Sequence, residues 1–432
     1  MAEQVSSLKT GIKYKNTPIG NIPVDWEVKK LGDTASNEKY SFTGGPFGSD
    51  LKEDSYTDDG VRVIQLQNIG DGKFFDEYKI FTSEEKANQL KNCNIYPGDI
   101  IIAKMADPVA RACIIPDVDK RYLMASDGIR LLINKEKYDV NFMLYAVNSP
   151  NFRKNAESHS TGSTRLRIGL TELRNLLIAI PPLREQKKIA EILTTVDEAI
   201  EKTDQIIEKT KEAKKGLMQR LFTHGIGHKK FKKTEIGEIP EEWDVKRVKE
   251  IGEVITGNTP STKIKDYYGD DYMFVTPGDM NDFKYVKTTA RMLSDAGIKV
   301  SRKVPKNSVL VVCIASIGKI AMAFEDCSTN QQINTIICDE KVNAHFIYYL
   351  MTSKISKISS LSGKTAVPIV NKSLFSELLV QIPHLTEQQK IAEILSCVDE
   401  EIEKDTKHQE QLESFKNGLM QVLLTGKVRV SV

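Results

Sequence analysis

Little in this sequence announces chemistry. Its 432 residues hold two tryptophans, Trp26 and Trp243, and six scattered cysteines (Cys93, Cys113, Cys313, Cys327, Cys338, Cys397) with no C-x-x-C pair. That scatter argues against a disulfide framework or a zinc site and suits a reducing compartment, so the expected location is the cytoplasm. The formal net charge is +2, which neither demands nor excludes a nucleic-acid partner. The most apolar run, VLVVCIASIG from Val309, is far too short to span a bilayer and reads as a buried strand. The opening MAEQVSSLKTGIKYKN lacks the apolar centre of a signal peptide. There is no G-x-S-x-G, no H-E-x-x-H, no P-loop and no G-x-G-x-x-G opening a helix. The only Pro-Pro step lies in IPPL, so the Asn-Pro-Pro-aromatic stretch of adenine methyltransferases is missing. The six histidines are dispersed; His224 and His228 fall in HGIGHKKFKK, which reads as a link rather than a metal site. Acidic residues form no recognisable pairing, which leaves a nuclease centre open on inspection alone.

What the sequence does have is repetition. Residues 180–223 align without a gap with 382–425, about 25 of 44 positions being identical. A second repeat precedes each copy: YKNTPIGNIPVDWEVKKLGD from Tyr14 and FKKTEIGEIPEEWDVKRV from Phe231 share I-G-x-I-P-x-x-W-x-V-K. A period of about 200 residues is that of a duplicated domain, not of a solenoid. The expected partition is a first globular segment over 1–179, a helix over 180–223, a basic linker over 224–236, a second globular segment over 237–381, and a helix with tail over 382–432.

Each helical segment carries one apolar stripe. Ile189, Leu193, Val196, Ile200, Ile207, Leu217 and Leu221 follow 3-4 spacing, as do Ile391, Leu395, Val398, Ile402, Leu412, Leu419 and Leu423. Pro181-Pro182 and Pro383 mark the starts, and Thr386 with Gln389 has the spacing of a capping box. Roughly 38 residues make a rod of about 55–60 Å. So narrow a stripe is not stable alone, and two such rods most simply pack on each other. Between them, short apolar runs broken by Gly, Pro, Asn and Asp predict strands at 61–69, 99–105, 111–117 and 128–134, then at 273–280, 308–316, 319–326 and 334–340. Helices are expected near 83–92, 140–156 and 343–359, which makes each half α+β.

Several loops stand out. TGGPFGSDLK (43–52) and TGNTPSTKIKDYY (256–268) occupy corresponding places; small residues, hydroxyls and a lysine suit either phosphate contact or a plain turn. In STGSTRLRI (160–168), Arg165 and Arg167 share one face, facing phosphate or solvent; SGKTAVPIVNKS (362–373) takes the equivalent place. TNQQINTII (329–337) clusters amides on a predicted strand, suited to adenine readout or to an ordinary amide ladder.

IPPLREQKKIAEIL and IPHLTEQQKIAEIL, GLMQRLFT and GLMQVLLTGKVRV, the doubled I-G-x-I-P-x-x-W, and GPFGSDLK, TGNTPSTK and TNQQINTII together resemble the specificity subunit of type I restriction–modification systems. The resemblance runs from about Tyr14 to Val430 and is weakest at 70–95. It implies two target recognition domains joined by two long helices that form an antiparallel coiled coil with pseudo-two-fold symmetry. It implies a subunit without catalysis or cofactor of its own, whose domains each read part of a split double-stranded DNA site. Two adenine-N6 methyltransferase subunits carrying S-adenosylmethionine would bind the helices, and motor-nuclease subunits using ATP and magnesium would join for restriction. The DNA-contacting residues implied in the first half are Phe47, Lys52, Gln65, Gln67, Asn68, Lys104, Arg111, Arg165 and Arg167. Those in the second half are Thr259, Ser261, Thr262, Lys263, Thr276, Lys319, Asn330, Gln331, Gln332, Asn334 and Lys364. Glu185, Gln186, Leu217, Glu387, Gln388 and Leu419 are the expected partner-docking residues. Against this stand a pure protein scaffold, which would show no sequence-dependent effect on DNA, and a self-contained methyltransferase or nuclease, which would need a catalytic motif not found here.

Overall fold

A computed structural model describes residues 13–162, 165–281, 283–362 and 367–431. Helix α1 spans Leu183–His224 and helix α2 spans Leu385–Leu423, so α1 begins directly after Pro182 and α2 one residue beyond Pro383. The chain divides into two compact units. Unit 1 takes the chain up to Lys202 and from Glu410 onward; unit 2 is Thr203–Gln409. Each unit therefore contains one globular segment and a portion of both long helices.

In unit 1 a four-stranded sheet has the order Ala112–Ile114, Ile100–Ala103, Gly128–Leu131, Phe42–Gly44. A five-stranded sheet has the order Tyr56–Thr57, Ile80–Thr82, Val61–Ile64, Tyr122–Met124, Asn94–Ile95. The strand Ile100–Ala103 shows why a continuous apolar run belongs here. Side chains alternate across a strand, and Ile100 and Ile102 enter the core shared with the helices while Ile101 and Ala103 enter a second core. A strand buried on both faces needs no polar alternation. Unit 2 repeats this. Val309 and Val311 of Val309–Val312 face the helix-side core, and Leu310 and Val312 face the other. The order in its main sheet is Gly252–Thr256, Ile333–Cys338, Val309–Val312, Ile320–Ala323, Tyr285–Val286. Most pairings are antiparallel, but three are parallel: Val61–Ile64 with Tyr122–Met124, Tyr268–Val275 with Cys327–Thr329, and Tyr285–Val286 with Ile320–Ala323.

Within each unit the two long helices lie antiparallel. In unit 1, Asp197 of α1 ion-pairs with Lys416 of α2 at 2.6 Å, whereas Glu185, earlier in α1, meets Arg429, later in the chain. In unit 2, Asp204 accepts from Gln409 at 3.4 Å, and Lys214 pairs with the earlier Asp399. Ile189, Leu193, Met420 and Leu423 join one core; Met218, Leu221, Ile391 and Leu395 join the other. The α+β class and the paired helices thus agree with the sequence reading.

Several local expectations change. The predicted helix over 140–156 is two, Val140–Val147 and Pro150–Ser158, because Ser149 caps a new start whose first residue is proline. The region 343–359 likewise splits into Ala344–Ser353 and Ile355–Ser360. Thr386 lies inside the first turn of α2 rather than at its cap, so no capping box forms there. The segment 224–236 is not all linker, since Phe231–Thr234 pairs with Gly237–Pro240 in a hairpin.

Candidate nucleic-acid interface

Five loops of unit 1 are joined edge to edge by main-chain bonds. Gly45 N donates to Gly128 O (2.9 Å), Lys104 N to Asp127 O (2.7 Å), Ala125 N to Ile64 O (2.9 Å) and Ile168 N to Lys104 O (2.9 Å). Arg111 closes the set by donating Nη2 to Leu66 O at 3.0 Å. Unit 2 uses the same stitches. Gly257 N donates to Ile333 O (3.1 Å), Cys313 N to Gln332 O (2.8 Å), Asn330 N to Val275 O (3.1 Å) and Val370 N to Cys313 O (2.8 Å). Lys319 stands where Arg111 does, its Nζ donating to Pro277 O (2.9 Å) and Met280 O (3.0 Å). The two glycines correspond for a steric reason. A Cβ on Gly45 would lie 1.9 Å from Ala125 O, and one on Gly257 would lie 2.2 Å from Thr329 O.

The turn after the parallel strand also recurs. Asn68 Oδ1 accepts from Gln65 N (3.0 Å), and Asp279 Oδ2 accepts from Thr276 N (2.8 Å). These turns fix the exposed residue between them, Gln67 in unit 1 and Gly278 in unit 2. The scaffold is thus shared while the presented side chains differ.

Phe47, at 81% exposure, stands out with Lys52, Gln67 and Arg165 on the surface of unit 1. In unit 2 Thr259, Ser261, Thr262, Lys263 and Gln331 are exposed, with Thr259 Oγ1 donating to Gln331 Oε1 at 2.7 Å. Leu66, Met105, Asp107, Arg111, Glu157 and Arg165 line a groove of about 400 Å³ in unit 1. Arg167 is exposed but ion-paired with Asp127 at 3.1 Å. Lys104 is half-buried and donates to Ser126 O at 3.1 Å; burial, with Arg167 adding repulsion, holds its amine below the usual lysine range.

Other expected contacts are used up internally. Asn68 is fully buried and its Nδ2 donates to Phe75 O and Tyr78 O. Asn334 is buried and accepts from Thr256 Oγ1 at 2.6 Å. Asn330 Nδ2 donates to Gln332 Oε1 (2.9 Å) and Asn330 Oδ1 accepts from Gln332 N (3.1 Å), so the Asn330 amide is used within the turn. Residues 330–332 form a turn between strands, not the strand expected, and only Asn334 lies on a strand. Gln65 donates to Tyr56 Oη at 3.1 Å, and Thr276 Oγ1 to Asp279 at 2.7 Å. Lys364 lies outside the described residues. Sequence reasoning missed Ser126, Asp127, Asp279 and the 313–318 turn. None carries a motif, and only the correspondence of the two units reveals them.

The expected docking residues at the helix starts are turned inward. Glu185, 1% exposed, accepts from Trp26 Nε1 (3.0 Å) and from Arg429 Nε and Nη2 (2.6 and 2.7 Å); Arg429 also grips Asp25. Glu387 accepts from Trp243 Nε1 (3.0 Å), His228 Nε2 (3.0 Å) and Ile226 N (2.8 Å). Gln186 and Gln388 are buried, and their Oε1 atoms accept from Asp139 N (2.9 Å) and Asn343 N (2.8 Å), the residues that cap Val140–Val147 and Ala344–Ser353. These four side chains therefore bind the globular parts to the helices. Leu217 and Leu419 are half-buried at the margins of the two helix-side cores. Among the described residues no cluster of three or more His, Cys, Asp or Glu is placed to hold a metal ion, and no helix is long and apolar enough to cross a membrane.

Comparison with known proteins places these loops in context. The family described as type I restriction modification DNA specificity domain matches residues 23–212 and 240–414. A relative named putative type I restriction enzyme MjaX specificity subunit, from Methanocaldococcus jannaschii, is 28% identical over 426 residues, covering 96% of this chain and 97% of its own. The chain's fold is similar to a solved structure described by complex assembly and conformational transition of the type I R-M system, with TM-score 0.60, 15% identity and coverage of 94% and 99%. It is also similar to the type I restriction–modification S subunit from M. genitalium, with TM-score 0.56, 15% identity and coverage of 96% and 99%.

Proposed function

The chain belongs to the type I restriction modification DNA specificity family, and from that premise we propose that each unit reads one part of a bipartite double-stranded DNA site through its five stitched loops. As a specificity subunit it is a non-catalytic, DNA-recognising component of such a system. The observation that carries the reading is the pair of congruent loop sets bearing different side chains. A shared scaffold sets a common way of docking on DNA, and divergent tips allow two unlike half-sites. Exposed Lys52, Arg165 and Lys263 suit phosphate, while Gln67 and Gln331 suit base edges.

The long helices dock two methyltransferase subunits and position them for adenine-N6 methylation. Those subunits hold S-adenosylmethionine, and motor-nuclease subunits supply ATP-dependent restriction. With a net charge of only +2, the isolated chain binds DNA weakly and with a shallow salt slope. Leu217→Asp and Leu419→Asp abolish co-purification with the methyltransferase. The deciding experiment is co-expression with the neighbouring methyltransferase and single-base mapping of N6-methyladenine. The expected result is a split motif with one methylated adenine per strand, of which exchange of residues 237–380 changes one half. Absence of new methylation, with a partner active beside a related subunit, refutes the reading and favours a scaffold or a degenerate specificity subunit.

A further inference from the structure

Lys416, Lys214 and Lys284 each lie over a tyrosine ring beside the long helices, and their partners differ. In unit 1, Lys416 is 5.6 Å from the Tyr145 ring and ion-pairs with Asp197 at 2.6 Å. In unit 2, Lys214 is 5.3 Å from the Tyr349 ring and ion-pairs with Asp399. Lys284 is enclosed by three rings, Tyr349 at 4.7 Å, Tyr348 at 5.7 Å and Tyr285 at 5.8 Å. Its hydrogen-bond partners are hydroxyls, Ser396 Oγ at 2.9 Å and Tyr349 Oη at 3.2 Å. Tyr349 in turn donates to Asp399 at 2.5 Å. Each of the first two amines contacts a carboxylate directly, whereas Lys284 meets its nearest acid only through another residue.

The Lys284 amine also has room before it. It lines an open cavity of about 490 Å³ together with Tyr285, Phe324 and His345 of the globular part and Ser396 and Glu400 of α2. Burial is the main reason its amine is lowered to about 8; Lys214 lowers it further, and Asp399 and Glu400 act in the opposite direction. Lys287, Glu393 and Glu403 also face the cavity.

We propose that Lys284 is an acylation site that takes its acyl group from an acyl phosphate. The lone pair of the neutral amine attacks the carbonyl carbon and forms an amide. The carbon–oxygen bond to phosphate breaks, and the proton lost by nitrogen leaves with the inorganic phosphate. Acylation removes the charge and one of the donors that tie the strand Tyr285–Val286 to α2. At about pH 7.5 roughly a quarter of such amines are neutral, against about one in a thousand for an ordinary lysine. Lower basicity offsets part of that gain, so a net rate advantage of about tenfold is expected.

The test uses the full chain and acetyl phosphate, with each lysine followed by quantitative peptide mass spectrometry from about pH 6.5 to 9.5. Lys284 is expected to acetylate about tenfold faster than Lys416 and Lys214 near pH 7.5 and to level off above about pH 9. A Lys284 rate no faster than that of Lys416, or still climbing at the top of the range, overturns the proposal. Lys284→Arg should remove the fast phase alone. The wild-type ratio in one digest decides the matter even where that variant folds poorly, and unfolding in urea should erase the preference.

Discussion

Glu185→Ala separates an internal clamp from a docking surface. Glu185 receives three hydrogen bonds, one from Trp26 and two from Arg429. Trp26 is fully buried, so its indole N–H would lose its acceptor at a cost of about 1–3 kcal/mol. Bonds to a charged partner contribute about 1.5–3 kcal/mol each. The Arg429 side chain is 24% exposed and keeps Asp25, so its share is reduced by solvent. The expected loss is about 3–5 kcal/mol of unit 1 stability, roughly a 150- to 5,000-fold change in its unfolding equilibrium. Each unit holds one tryptophan, so fluorotryptophan labelling gives one fluorine resonance per unit for urea titration. Glu185→Gln keeps an acceptor for Trp26 and should lose about half as much. A surface docking residue would change stability by less than about 0.5 kcal/mol and abolish only co-purification. A loss below about 1 kcal/mol for Glu185→Ala would refute the clamp.

Glu387→Ala should cost less, about 2–3 kcal/mol, because the imidazole left behind has a neutral form and a guanidinium does not; the Trp243 resonance reports it. The Arg429 hydrogen bond holds Asp25 below the usual carboxylate range. That pair therefore stabilises unit 1 above about pH 4 and is lost as pH falls through the lowered folded value; Asp25→Asn should flatten this acid limb in a stability titration. Gly45→Ala and Gly257→Ala force their loops off Ala125 O and Thr329 O, so each should blur one half of the methylated motif and spare the other. In the assembled complex, Lys52→Ala and Lys263→Ala should weaken binding evenly across sequences and lower the salt slope by about one each. Gln67→Ala should instead relax one base position, by about 1–3 kcal/mol of discrimination.

The long helices were legible because a 3-4 stripe and a proline start are local signals, and the doubled stretch made each copy a check on the other. The buried strands were legible because Ile100–Ala103 and Val309–Val312 are apolar on both faces. What sequence could not give was direction. Glu185 and Gln186 look like polar surface residues on an amphipathic helix, yet Trp26 and Asp139, far away in the chain, turn them inward. The amides of TNQQ read as one cluster, but a turn pairs Asn330 with Gln332 and leaves Gln331 alone facing out. The basic residues of the loops were found by type. Their equivalence, Arg111 with Lys319, appears only when the strands on either side are matched.

The way the units share the chain also has a consequence for synthesis. Unit 2 is one continuous stretch, Thr203–Gln409, whereas unit 1 needs both the opening segment and the residues from Glu410 onward. On the ribosome, then, the second half of the protein can close before the first. The opening segment, with Trp26 and Glu185 already made, must wait for Arg429 while the roughly 200 residues of unit 2 are translated. At about 5–20 residues per second that interval is about 10–40 seconds. During it the edge of the unit 1 core that Met420, Leu423 and Leu424 will cover stands open. A premature stop near the end of the message would thus damage the domain encoded at its beginning.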